Sequence, residues 1–295
     1  MRITNNTMAN TAMINLFKSS ERLAKFQEIV SSQKRINRPS DDPVGMGKIL
    51  EYRKRLSSIE QNFRNIINGK MRIDITETSL GAIDELINKV KNTAVEQSTG
   101  DLDSRQIAIQ DVKATYDQIM QLANTKLGSS YIFAGHQTDT SPFTRDGSYN
   151  ATYAGDDGDM QVIVTGDMTV KINTTGEDAF VAGTNLFDVL RDLITALEAP
   201  VYDPAAVAAQ IQPLADVEKQ LETVRAEGAT NYNRLDIAEN QLSRLKIDLE
   251  DMLYETENAD MVKAVIDLQM QETAYQTSLA TAARIIQPSL IDFLR

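Results

Sequence analysis

Large apolar residues return every seven positions through much of this chain. Leu16, Leu23 and Val30 form the first row, interleaved with Ala12, Ser19, Phe26 and Gln33. Spacings of three and four put such residues on one helical face, and the pattern predicts a helix over 8–34. Its second row is small or polar at several places, so this helix has little apolar surface and needs a partner. A second row runs Tyr52, Ile59, Ile66, Ile73, Leu80 and Ile87, joined early by Ile49, Leu56 and Phe63 and later by Ile83 and Val90. It predicts a helix from near Pro43 to near Gln97, about 75–80 Å long if continuous. After the turn "STGDLDSRQ", with Asp103 or Ser104 as cap, Ile109, Val112, Tyr116, Ile119 and Ala123 predict a third helix.

Between about 131 and 183 the period changes. "MQVIVTGDMTVKINTTG" alternates short β-prone runs with Gly-Asp and Thr-Gly turns, which predicts a small sandwich or hairpin cluster. Helix resumes at "NLFDVLRDLITALEA" and continues beyond Pro200 and Pro204. Leu235, Ala238, Leu242, Leu245, Leu249 and Met252 keep the three-four spacing of a coiled-coil seam. The phase slips at "YETENAD". A last row follows through Met261, Val265, Leu268, Tyr275, Leu279, Ala282 and Ile286, with Glu272 as a polar gap, and Pro288 is expected to end it.

The expected fold is mainly α with a small β insertion: an elongated helical bundle or coiled coil, a β domain at its tip, and terminal helices that pair on assembly. The expected division is 1–42 with 257–295 as terminal assembly segments, 43–130 with 186–256 as the bundle, and 131–185 as the β domain. The weak terminal rows mark the expected assembly interface, at Leu16, Leu23, Phe26 and Val30 and at Met261, Val265, Leu268, Tyr275, Leu279 and Ile286.

The stretch "RINRPSDDPVG" at 35–45 breaks the helical pattern. Pro39 forces its predecessor out of helical geometry. Asp42 followed by Pro43 is a helix start, with the aspartate as cap and proline where no backbone donor is needed. Asn37, Pro39, Ser40, Asp41, Asp42 and Pro43 therefore read as an interdomain joint.

The net charge of −12 argues against a broad nucleic-acid surface. The charge is uneven: residues 1–55 carry 11 Lys/Arg against 5 Asp/Glu, while 239–260 carry 2 against 7. There is no cysteine, which excludes disulfides, thiol nucleophiles and thiolate metal sites. No apolar run is long enough for a membrane span, and the polar N-terminus lacks a secretory core, so the residues alone suggest a cytoplasmic protein. His136, the sole histidine, has no marked nucleophile or metal partner. "GDDGD" at 155–159 lacks the alternating ligands of a calcium loop and reads as a turn. Asp41 and Asp42 are adjacent and cannot face each other across a substrate. No catalytic residue, cofactor or metal is expected.

The chain resembles the flagellin-like proteins of the bacterial flagellum. "RINRPSDDPVG" is similar to the segment these proteins carry after their first helix. "YIFAG" at Tyr131–Gly135, with Thr138 or Thr140 and Pro142–Phe143, resembles the β-domain entry of the hook–filament junction branch. "ADMVKAVIDLQMQETAYQTSLATAARIIQPSLIDFL" is similar to the flagellin-type C-terminal helix. Filament flagellins are the near alternative, but they typically read Asp-Asp-Ala-Ala-Gly where this chain has Asp41-Asp42-Pro43-Val44-Gly45. A cytoplasmic signalling coiled coil is a remoter one. Arg38 inside the joint and the short β insertion depart from the branch pattern. The resemblance implies a non-enzymatic adaptor at the hook end, polymerising through its terminal helices. It also implies export through the flagellar channel without a cleaved signal peptide, in place of a cytoplasmic location. Implied partners are copies of the chain itself, an adjacent hook-associated protein, filament flagellin and a cytosolic export chaperone, with no nucleic acid and no membrane.

Overall fold

The computed structural model describes the backbone of residues 5–99, 104–166 and 168–293, and the side chains of these ranges between 7 and 284. Helices α1 (Asn5–Ser32), α2 (Pro43–Gln97) and α3 (Arg105–Ala123) come first. Six short strands follow: β1 (Lys126–Leu127), β2 (Ser130–Tyr131), β3 (Phe143–Arg145), β4 (Ala151–Tyr153), β5 (Gln161–Thr165) and β6 (Met168–Lys171). A π-helical turn at Glu177–Val181 leads into α4 (Leu186–Glu198), α5 (Pro204–Ala208), α6 (Ile211–Glu257) and α7 (Met261–Phe293).

The strands form three separate antiparallel hairpins, β1–β2, β3–β4 and β5–β6. The hairpin alternative of the sequence reading thus holds over the sandwich. Strand structure begins at Lys126, before the expected 131, because Gly128 (φ 64°) turns the chain into a pair whose strands are two residues long. Such strands carry no readable alternation. Helix α7 also continues through Pro288, which was expected to end it. One missing backbone donor removes one bond from the ladder, and a helix with the rest intact can carry that loss.

Contacts divide the chain into two compact units, cut within α2 and α6: 1–58 with 245–295, and 59–244. The hairpins fall with the helices of the second unit. Phe133, Phe143, Phe180 and Ile132 share one buried core with Ile83 and Ile87 of α2, Tyr116 and Ile119 of α3, and Phe187 and Leu190 of α4. Phe143 lies 5.1 Å from Phe187 and 5.0 Å from Tyr153, ring centre to ring centre. The Tyr116 hydroxyl donates to the Tyr149 carbonyl at 2.9 Å. In this unit α2 and α6 run antiparallel, joined by ion pairs from Lys70 to Asp236 (2.8 Å) and Glu239 (2.6 Å), Arg225 to Glu77 (2.6 Å), and Lys91 to Glu218.

In the first unit α1 and α7 lie antiparallel, with Cα atoms within 8 Å. Thr7, Met8, Thr11 and Ala12 line one groove with Thr277, Ser278, Thr281 and Ala282. Small residues permit this close approach: Ala9, Ala12 and Ser19 on α1 and Ala264, Ser278 and Ala282 on α7 are turned inward.

Candidate functional site

The joint at 33–42 is built from both ends of the chain. Gln33 leaves α1 with φ 61°, so the chain turns instead of extending the helical row. The segment then zips onto the α6–α7 link: the Arg35 amide donates to the Glu257 carbonyl at 2.8 Å, and the Ala259 amide to the Gln33 carbonyl at 3.0 Å. The Glu257 carboxylate, nearly buried, receives Lys34 and, at 2.7 Å, Arg53. Burial alone would raise its pKa, but the hydrogen bonds from Lys34 and Arg53 outweigh it and hold the carboxyl below its ordinary range.

The two aspartates divide the work. Asp41 Oδ2 accepts the amides of Asn37 (3.2 Å) and Arg38 (3.0 Å), while its Oδ1 meets Lys25 at 3.1 Å. The Lys25 hydrogen bond, then the Arg38 amide, lower its pKa. Asp42 Oδ1 accepts the Gly45 amide at 2.9 Å and caps α2, as expected, with Pro43 at the first helical position. Asn37 Nδ2 donates to the Lys34 carbonyl at 3.2 Å. Pro39 and Ser40 form the exposed turn between them. All six joint residues therefore sit in one motif. Glu257, Lys34, Ile36 and Gly45 complete it and were missed as site residues. Ile36, a lone apolar side chain in a polar stretch and here 2% exposed, was the available signal.

Of the expected interface residues, Leu16, Leu23, Phe26 and Val30 lie half-buried on the α1 face turned to α7. On α7 the inward face is Met261, Ala264, Leu268, Gln271, Tyr275, Ser278 and Ala282, with strict three-four spacing. Val265 and Leu279 stand beside it, exposed, and the Ile286 side chain lies outside the described residues. The outer surface of α1 exposes Met13, Ile14 and Phe17, and that of α7 exposes Val262, Ile266 and Met270.

The "YIFAG" motif is structural. Ile132, Phe133 and Ala134 are fully buried, and Arg72 of α2 donates to the Ile132 carbonyl at 3.2 Å. Gly135 has φ 64°, and a Cβ there would lie 2.0 Å from Asp156 Oδ1. Asp156 Oδ1 instead accepts the amides of His136 (2.6 Å) and Gly158 (3.1 Å). Asp156 of "GDDGD" thus ties a loop. Among the described residues no three His, Asp or Glu side chains converge as metal ligands, and no helix is long and apolar enough to cross a membrane.

Residues 3–138 match the bacterial flagellin N-terminal helical region. The chain is 26% identical to flagellar hook-associated protein 3 of Escherichia coli K12, over 94% of this chain and 95% of that one. It is 25% identical to the protein of the same name from Salmonella typhimurium, over 95% and 96%. The structure of a flagellar hook-associated protein from Vibrio parahaemolyticus shares the fold, with a TM-score of 0.69 at 24% identity, over 74% of this chain and 100% of that one. Over nearly its whole length the chain is thus similar to proteins named flagellar hook-associated protein 3, and in its N-terminal part to flagellins.

Proposed function

We propose that this chain is a structural adaptor of the bacterial flagellum, placed where hook meets filament and polymerising through its terminal helices. The carrying observation is its likeness, over nearly the whole of both chains, to two proteins named hook-associated protein 3. The pairing of both chain ends through a shared joint supports a role in assembly. So do the apolar side chains left exposed on the outer faces of α1 and α7, since a soluble chain gains by covering them. On this reading 1–42 and 257–295 are the assembly segments, and Leu16, Leu23, Phe26, Val30, Met261, Val265, Leu268, Tyr275, Leu279 and Ile286 belong to the assembly interface. The partners are further copies, a neighbouring hook-associated protein and filament flagellin. A cytosolic chaperone guards the chain before it passes, unfolded, through the flagellar channel. The role involves no catalysis.

The test is a deletion strain imaged by negative stain. The expected result is hooks without filaments and flagellin lost to the medium, both reversed by the unaltered gene. Deleting a filament subunit would instead remove flagellin from cell and medium together, and that outcome overturns the adaptor reading.

A further inference from the structure

Methionine is the side chain through which an oxidant acts on this protein. The sequence holds no cysteine, no tryptophan and one histidine, against 11 methionines. Where thiols are present they react first; here the thioethers take their place. Burial then sorts the methionines. Met120 lies in the core of the second unit, and Met46, Met160 and Met261 are half-buried. Met8, Met13, Met71, Met168, Met252 and Met270 are exposed.

Two of the exposed ones differ from the rest in their neighbours. Met13 stands one helical turn before Phe17 and next to Ile14, and all three point outward from α1. Met270 stands one turn after Ile266 and two turns after Val262, all outward from α7. It lines a shallow groove along α7 with Ile266 and Thr273. Both sulfurs therefore sit inside the apolar surface that the assembly reading gives to neighbouring subunits. At 45% and 58% exposure they are also open to a small solute in the lone chain.

We propose that Met13 and Met270 are oxidation sites at which hydrogen peroxide switches off the outer faces of α1 and α7 for assembly. The inference rests on the assembly reading. A sulfur lone pair attacks one peroxide oxygen and the O–O bond breaks. The departing oxygen takes up the proton of the attacked one and leaves as water. The thioether is oxidised to a sulfoxide and the peroxide is reduced. The new S–O group is a strong hydrogen-bond acceptor. Water satisfies it in the lone chain, so folding is undisturbed. Under a neighbouring subunit it needs a donor, and Phe17, Ile14, Ile266 and Val262 offer none from their side chains. A methionine sulfoxide reductase reverses the change.

The test uses isolated hooks of the deletion strain. Purified full-length chain is added, then flagellin, and hooks that gain filaments are counted. The chain is first treated with graded hydrogen peroxide, and its sulfoxides are located by mass spectrometry. Attachment should fall about tenfold or more in step with sulfoxide at Met13 and Met270, at an unchanged melting temperature, and return after reductase treatment. Met13→Leu with Met270→Leu keeps the apolar bulk and should hold its attachment through the same dose, although the other exposed methionines still oxidise. Met13→Gln with Met270→Gln imitates the polar product and should lower attachment without any peroxide. Full attachment with both sulfoxides formed, equal loss in the leucine variant, full attachment by the glutamine variant, or a melting temperature that falls with attachment overturns the proposal while the junction reading stands. An untreated chain that attaches no flagellin to these hooks removes the junction reading and this proposal with it.

Discussion

At Gly45 the absence of a side chain sets how closely the joint can fold onto α2. A Cβ at this position would lie 2.5 Å from Ile36 Cδ1 and 2.6 Å from Asp42 Oδ2. One atom belongs to the buried plug and the other to the helix cap, so neither can move without loss. We expect Gly45→Ala to destabilise the first unit by about 1–3 kcal/mol in urea unfolding. Glu257 acts by charge. Its carboxyl is more acidic in the folded chain than in the unfolded one. A lowered folded pKa means the node stabilises fully above the unfolded value and loses that contribution as pH falls through the folded one. Removing the charge with Glu257→Gln should cost about 1–2 kcal/mol near neutral pH, a modest figure because Lys34 and Arg53 are about half exposed. It should also flatten the loss of melting temperature between about pH 5 and 3 that the unaltered chain shows. An unchanged acid slope in the variant would count against Glu257 as the responsible group. None of this node was legible in the sequence as a site. The pairing is between residues more than two hundred positions apart, and neither local spacing nor composition reports it.

At the scale of elements, what could be read was what large side chains announce. The rows on α2 and α3 hold because Ile and Leu dominate them, and each named member faces inward. The α7 row was partly misread for the same reason. Val265 and Leu279 attracted the pattern, while Ala264, Gln271 and Ser278 make the face. Close helix pairing favours small residues, and a search weighted by size passes over them. That composition also makes the pair weak. With few large side chains buried per turn, area at about 25 cal/mol per Å² barely offsets roughly 1–2 kcal/mol of backbone entropy per ordered residue. We therefore expect amide exchange along α1 and α7 to be much faster than in α3 and α4 of the dilute chain, and to slow on assembly. Leu23→Asp should leave the melting of the second unit unchanged while filament attachment is lost. Equal protection in all four helices would instead mark the α1–α7 pair as stable in the lone chain.

For the molecule as a whole, the shared core decides what can be removed. The sequence suggested a separable β insertion because Gly, Thr and Asp mark turns well and say nothing of where strand side chains go. Here Phe133, Phe143 and Phe180 are buried among the helices. Deleting 131–185 should strip packing from Tyr116, Phe187 and Leu190, so cooperative melting of the second unit should disappear. A retained sharp transition would mean that the helices carry the core without the hairpins. The same burial turns a gap in composition into an instrument. With no tryptophan and no cysteine in the chain, tyrosine ionisation alone supplies the absorbance change of an alkaline titration. Burial pushes the phenols of Tyr116 and Tyr153 up to about 12, and both lie in the second unit. In the folded protein these two should ionise late in a spectrophotometric alkaline titration, and on unfolding they should return to the value of a free phenol, about 10. Stability should correspondingly decline above about pH 10, where the unfolded phenols release protons that the folded ones retain. The late phenolate absorbance of this pair is thus a built-in, label-free clock for the opening of one unit, readable without adding a probe to the chain.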